Sequence, residues 1–364
     1  MIQDPRIRKF AQLLAHYSIY AKKGETIGVE GPDTAAALIQ DLYEELLRAG
    51  AYPVIRMTPV GLTEAFFKQG QPLHFDSIPK FELAYAKAVD GTVRIMGSSN
   101  TRALSSIDPM LMARFAKARR PVRRILLAKK WALTLFPTES YAQDAEMSLA
   151  EFSDFVFRAN LLHLDDPVKA WQAEERKQKK LIARLRGADE VRIVGPDTDL
   201  RMSIKGRTFI PSVATHNVPS GEIFTGPIED SAEGHIRYDF PVCEGGREID
   251  GIRLVFRKGL VVEATATKNQ DYLLKMLDMD PGARRLGELG IGTNYDIQRF
   301  IKNILFDEKI GGSIHLALGE SYAETGGKNK SGLHWDMIKD LRQGGAVYVD
   351  GKLLQKDGKF IGGL

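Results

Sequence analysis

Cysteine occurs once in the 364 residues, at Cys243, so no disulfide can form within the chain and the usage fits a reducing compartment. No stretch approaches the ~18 consecutive apolar residues that a membrane-spanning helix needs. The opening MIQDPRIRKFAQLLAHYSIYAKKGE carries charges throughout and lacks the apolar run and small-residue cleavage site of a signal peptide. A cytoplasmic protein with no membrane partner is therefore expected. Charge of one sign is also missing: 51 basic residues stand against 47 acidic ones, a net +4, which leaves no electrostatic footprint for nucleic acid. Several short signatures are absent. Without GxxxxGK[ST] there is no phosphate-cradling loop, and without GxSxG no serine elbow. The turn GVEGPD has glycines but not the GxGxxG spacing of a dinucleotide site.

What is present is enough apolar residue, 43%, to bury a sizeable core, and a length that suggests two domains. ETIGVEGPDTAAALIQDLYEELLRAGAYPVIRM reads as strand, helix, strand. Leu38, Leu42 and Leu46 recur at i+4 beside Ile39, Tyr43 and Leu47, and Gly50 ends the helix. GTVRIMG and KWALTLFP add strands, with an Arg-rich helix after Pro109 between them. The first half is thus expected to be an α/β domain with an open, mostly parallel sheet. Ser148 followed by Glu151 forms a capping box, which predicts a helix carrying Phe152, Phe155 and Phe157 on or near its apolar stripe. A connecting helix begins after Asp166 at Pro167 and stops at Gly187, and its basic run from Arg176 to Arg186 reads as a solvated face. The boundary is placed there, giving domains 1–187 and 188–364. Beyond it the pattern changes to short strands: EVRIVG, TDLRMSIKG with Leu200, Met202 and Ile204 alternating, and a hairpin about Lys258 and Gly259. The second half is expected to be α+β and antiparallel-rich.

Chemistry-bearing residues gather in that second half. In SGLHWDMIKDL, strand alternation puts His334 and Asp336 on one face with Trp335 opposite. An imidazole beside a carboxylate suits a divalent metal, although a surface pair is the simpler reading of these two residues alone. In GSIHLALGESY, Ile314, Leu316 and Leu318 form the core face, and His315 faces an open site with small neighbours. ARRLGELGIGTN isolates Glu288 among glycines and leucines, a costly setting for a carboxylate unless it meets a cation. HNVPSGEIFTGP sets Glu222 in a Pro/Gly turn, NILFDEKIGG brings Asp307 and Glu308, and Tyr322 follows His315 by a few residues. Two dications close together need several negative charges, a bridging carboxylate among them, and imidazoles favour zinc- or cobalt-like ions. The glycine-rich AETGGKNKSG is either a mobile loop beside such a site or a plain surface turn.

NVPSGEIFTGP, RRLGELGIGTN, LFDEKIGGSIHLALGESY and GLHWDMI resemble, in the same order, successive segments of the metal-dependent aminopeptidases of the aminopeptidase T, aminopeptidase S and aminopeptidase II type. The resemblance extends over the whole chain and is specific in its C-terminal segments. It implies Glu222, Glu288, Glu308, His315, His334 and Asp336 as metal ligands, with Glu288 as the bridge, and Tyr322 close to the metals. The spacing from Glu288 through Glu308 to His315 is shorter than in some relatives. Glu222 is the first candidate for proton transfer, and Tyr322 for stabilising the oxyanion. The resemblance further implies two divalent ions (zinc, cobalt or manganese), peptide substrates with a free N-terminus, a homodimer, and an N-terminal domain that shapes the entrance to a C-terminal catalytic domain. HExxH is absent, so the common zincin helix is not the scaffold. Two rivals stand beside this expectation: a dinuclear hydrolase of another bond, such as a phosphoester or cyclic amide, and a non-catalytic binding protein whose metal is structural.

Overall fold

The structure is a computed structural model and describes residues 4–244 and 247–363. The chain forms two compact units, one of Met1–Trp171 with Ala214–Pro219, the other of Gln172–Val213 with Ser220–Leu364.

The first unit is built on a five-stranded sheet in the order Tyr52–Thr58, Thr26–Pro32, Gly91–Met96, Lys130–Leu135, Asn217–Val218. Every pairing in it is parallel. Parallel neighbours require a crossover, and the helix Ala36–Arg48 supplies the first one, burying Leu38, Ile39, Leu42 and Leu46. Strand Thr26–Pro32 lies between two neighbours and hides Ile27 and Val29 completely. Strand Tyr52–Thr58 is at the sheet edge, which explains its largely exposed pattern. The capping box forms as expected: the Glu151 amide donates to Ser148 Oγ at 3.2 Å, and the Ser148 amide donates to the Glu151 carboxylate at 2.9 Å. Phe152 and Phe157 are buried on the helix that follows.

The second unit contains an eight-stranded sheet and a five-stranded sheet, antiparallel at every pairing. The expected hairpin forms between Arg253–Arg257 and Leu260–Thr265, with Lys258 at φ 49° and Gly259 at φ 73°. Positive φ at both central residues matches the right-handed twist of the strands. Leu200, Met202 and Ile204 are buried, as their alternation predicts. On the helix Pro167–Leu185, Leu181 and Leu185 turn inward, while Lys177 and Lys179 pair with Glu174 and Glu175 on its solvated side.

The five-stranded sheet runs His334–Asp340, Ser313–Gly319, Leu286–Gly292, Glu222–Thr225, Ile210–Ser212. One of its faces supplies Ile223, Leu289, Ile291, Ile314, Leu316, Leu318, Trp335 and Met337 to the apolar core that the eight-stranded sheet also fills. At about 25 cal/mol per Å² of apolar surface removed from water, such a shared core stabilises the sheet strongly. The opposite face is then free to carry polar groups on a rigid support.

Candidate metal centre

Register decides which side chains share that opposite face. Gly319 pairs with His334, Ala317 with both Asp336 and Glu288, Gly290 with His315, and Gly292 with Glu222. The five positions bearing Glu222, Glu288, His315, His334 and Asp336 therefore cluster about Ala317 across four adjacent strands. A bulge between Leu286 and Glu288 is what re-aims Glu288. Leu286 and Leu289 both reach the core although three residues separate them, so Gly287 absorbs the extra step and Glu288 turns to the polar face. A Cβ on Gly287 would lie 2.3 Å from the Glu320 carbonyl oxygen, and one on Gly290 would lie 1.9 Å from His315 Cε1. Glycine at 290 is thus the space into which the imidazole fits. His315 is expected at an open site, but it is fully buried, as is every residue of its strand. Glu222 is likewise the first residue of an inner strand rather than part of a turn.

The two imidazoles are oriented alike. His315 Nδ1 donates to the Glu308 carbonyl at 3.1 Å, and His334 Nδ1 donates to the Glu320 carbonyl at 2.9 Å, so both Nε2 atoms point inward. His315 Nε2 lies 3.1 Å from Glu288 Oε1, 3.5 Å from Glu222 Oε2 and 3.9 Å from Asp336 Oδ1. His334 Nε2 lies 3.4 Å from Glu288 Oε2 and 3.7 Å from Asp336 Oδ2. Glu288 therefore turns one oxygen to each histidine. Among the described residues, three sets of donors come within 4.8 Å of one another: Glu222, Glu288 and His315; Glu288, His334 and Asp336; Glu308, His315 and Asp336.

Electrostatics are strained when only protons are available. Burial pushes the Glu288 carboxyl up, against the pull of His315, and the neighbouring charges of Asp336 and Glu222 push it further. For His315, burial favours the neutral ring, yet the Glu288 hydrogen bond and the surrounding carboxylates outweigh it and hold the ring up at about 8. His334 is raised in the same way, with burial opposed by Asp336 and Glu288. Glu222 Oε2 and Asp336 Oδ1 are buried without a hydrogen-bond partner. Orphaned carboxylate oxygens of this kind carry a full desolvation cost, and imidazoles anchored at Nδ1 by carbonyls are the usual outer support of metal-binding histidines. The donor set fits divalent cations.

Other predicted positions take distinct places. Tyr322 is 44% exposed, and its ring meets those of His334 at 5.2 Å and Phe224 at 5.6 Å. Burial, followed by the charges of Glu288, Asp336 and Glu222, raises its hydroxyl, which stays protonated and able to donate. Asp307 is a staple: its carboxylate accepts the amides of Ile301 at 2.8 Å and Asn303 at 2.7 Å, while burial pushes its pKa up to about 8. Glu308 ion-pairs with Lys309, whose ammonium also lies 3.2 Å from Glu222 Oε1. Lys309 is fully buried, and the sequence reading passed over it. The available signal was a lysine between apolar Phe306 and Ile310, where a charge is costly unless paired.

The segment AETGGKNKSG is pinned. Asn329 Nδ2 donates to the carbonyls of Gly282 at 2.9 Å and Gly319 at 2.6 Å, and Thr325 is buried. Asp280 accepts the amides of Gly282, Ala283 and Gly332 together with the Ser331 hydroxyl. These bonds fix the approach to His334.

Comparison with known proteins agrees with this geometry. Residues 3–360 match the family model described as thermophilic metalloprotease (M29). Aminopeptidase 2 of Geobacillus stearothermophilus is 27% identical over 354 residues, covering 88% of this chain and 84% of that protein. The solved structure of wild-type AmpT from Thermus thermophilus superposes with a TM-score of 0.86 at 25% identity, covering 98% of this chain and 99% of that one. A 2,5-dihydroxypyridine dioxygenase from Pseudomonas putida KT2440 shares the fold, with a TM-score of 0.64 at 16% identity over 99% of this chain and 98% of its own. A fold shared so widely does not name a reaction, whereas the family match spans nearly every residue, including all the converging donors. The chain belongs to the M29 metalloprotease family.

Proposed function

We propose that this protein is a metal-dependent aminopeptidase that removes the N-terminal residue from peptides, with two divalent ions held by Glu222, Glu288, Glu308, His315, His334 and Asp336. The observation that carries this reading is the meeting of carboxylates and two inward Nε2 atoms on one sheet face, with Glu222 Oε2 and Asp336 Oδ1 left buried without a hydrogen bond. Two such ions, when bound, supply Lewis acidity toward the scissile carbonyl, an anchor for the free amine, and a water acidified toward neutrality.

The side chains do the rest. Glu288, with one oxygen toward each histidine, is the carboxylate placed so that it would be shared between the two ions. Glu222 has Oε1 held by Lys309, while Oε2 lies 3.5 Å from His315 Nε2 without a hydrogen bond, so Oε2 is the atom that would take the proton of the attacking water and deliver it to the leaving amine. The Tyr322 hydroxyl donates to the oxyanion that develops as the carbonyl becomes tetrahedral. Zinc, cobalt or manganese suits a mixed imidazole and carboxylate set. A cytosolic homodimer completes the reading; a single cysteine accords with the compartment, and no described helix is long and apolar enough to cross a membrane.

Chelator-stripped protein reloaded with each of these ions should hydrolyse leucyl-p-nitroanilide and should leave the N-acetylated compound intact. Equal cleavage of the acetylated compound would point to a hydrolase that ignores the amine, and no turnover with any ion or amino acid would refute the proposal.

A further inference from the structure

We propose that the buried Lys309 ammonium makes the two metal positions unequal, weakening the one built on Glu222 and Glu308 and leaving the one built on Glu288, His334 and Asp336 tight. This inference rests on the two-ion reading above and assigns a role to a residue outside the ligand set.

Lys309 has no solvent exposure, and its Nζ contacts Glu222 Oε1 at 3.2 Å together with Glu308 Oε1. An ammonium is retained in such a place only when carboxylates compensate it. Glu222 and Glu308 each belong to a donor set that contains His315, and neither belongs to the set of Glu288, His334 and Asp336. The Lys309 ammonium thus touches a carboxylate of each set that contains His315 and none of the set of Glu288, His334 and Asp336.

The charge count sets the direction. Glu222, Glu288, Glu308 and Asp336 with Lys309 carry a net charge of minus three. A first dication reduces this to minus one, and a second turns it to plus one. With a neutral side chain at 309 the second ion would instead bring the site to zero. Like charges a few ångströms apart in a water-poor site repel strongly, so the penalty falls on the ion nearer the ammonium. Lys309 also occupies a lone pair on Glu222 and on Glu308, which lowers the number of donor atoms open to that ion. It is accordingly a positioning residue: it ties Glu222 Oε1 and leaves Oε2 turned toward His315, and keeps the neighbouring ion exchangeable.

Zinc titration of the metal-free protein against a competing fluorescent chelator tests this directly. The wild type should take up two ions with affinities at least about tenfold apart, a gap of ~1.4 kcal/mol. Lys309→Met should tighten the weaker event by about tenfold and leave the tighter one in place, while Lys309→Arg, which keeps the charge, should preserve the gap. Two ions of equal affinity in the wild type, or a weaker event that is unchanged or loosened in Lys309→Met, overturns the role of Lys309 and leaves the two-ion reading standing. Uptake of fewer than two ions at saturation removes the two-ion reading itself. If Lys309→Met does not fold, Lys309→Gln, which also removes the charge, is read by the same outcomes.

Discussion

Tyr322 is the residue of the site that combines partial exposure with a hydroxyl kept protonated, first by its burial and then by the neighbouring carboxylates. Its ring rests edge-on against His334, so Tyr322→Phe should keep the packing and remove only the donor. Loss of a single oxyanion donor typically lowers kcat by about 10²–10³. We expect a loss in that range with KM and bound metal nearly unchanged, checked by steady-state kinetics beside elemental analysis. A fall in metal content would show that the tyrosine supports the ligands instead. Most donors at this scale were legible because each violates its surroundings: Glu288 lies among glycines and leucines, and His315 interrupts an apolar strand. Lys309 gave only the weak signal of a charge near Phe306 and Ile310, because a lysine next to a glutamate reads as an ordinary surface pair until tertiary packing encloses it.

At the level of elements, the site depends on a bulge, a glycine and a pinned loop. Gly290→Ala would put a methyl group where the His315 ring lies. Overpacking of this kind costs about 1–3 kcal/mol, and here the strain displaces a ligand as well. The variant should melt earlier and bind less zinc; unaltered zinc affinity would show that the imidazole can sit elsewhere.

Asp280 governs the segment before His334, accepting from Gly332 N at 2.7 Å and from Ser331 Oγ at 2.8 Å. Burial raises its pKa, but these bonds with those of Gly282 and Ala283 win and hold the carboxyl below its ordinary range. A depressed folded-state pKa means the contribution to stability is complete above the unfolded value and is lost as pH falls through the folded one. Asp280→Asn should therefore cost about 1–3 kcal/mol at neutral pH, and the difference from wild type should shrink below about pH 4, measured by denaturant unfolding across that range. A constant difference down to strongly acid pH would refute the assignment. Strand alternation foretold the faces of residues 313–319 and 334–340, since a period of two is local. The bulge at Gly287 and the anchoring of AETGGKNKSG were not foretold, because both depend on partners many residues away.

At the scale of the whole molecule, the change from parallel to antiparallel pattern was readable from local periodicity. The sheet orders were not, because Ala346–Val349 pairs with Glu190–Gly195 across most of the second unit's chain length. Every proposed ligand, with Tyr322 and Lys309, falls within Ser220–Leu364. A ligand that binds only the folded state stabilises it by about 2.7 kcal/mol when its free concentration is a hundred times Kd. For a unit of ~150–250 residues, each kcal/mol shifts the midpoint by about 2–4 °C. Zinc at that excess should therefore raise the melting of the second unit by about 5–10 °C over the chelator-treated protein. Hydrogen exchange should slow in peptides covering Glu222–Thr225, Leu286–Gly292, Ser313–Gly319 and His334–Asp340, while those covering Thr26–Pro32 and Gly91–Met96 keep their rates. Protection that appears only in the first unit would place the ion away from the donors that the five-stranded sheet brings together.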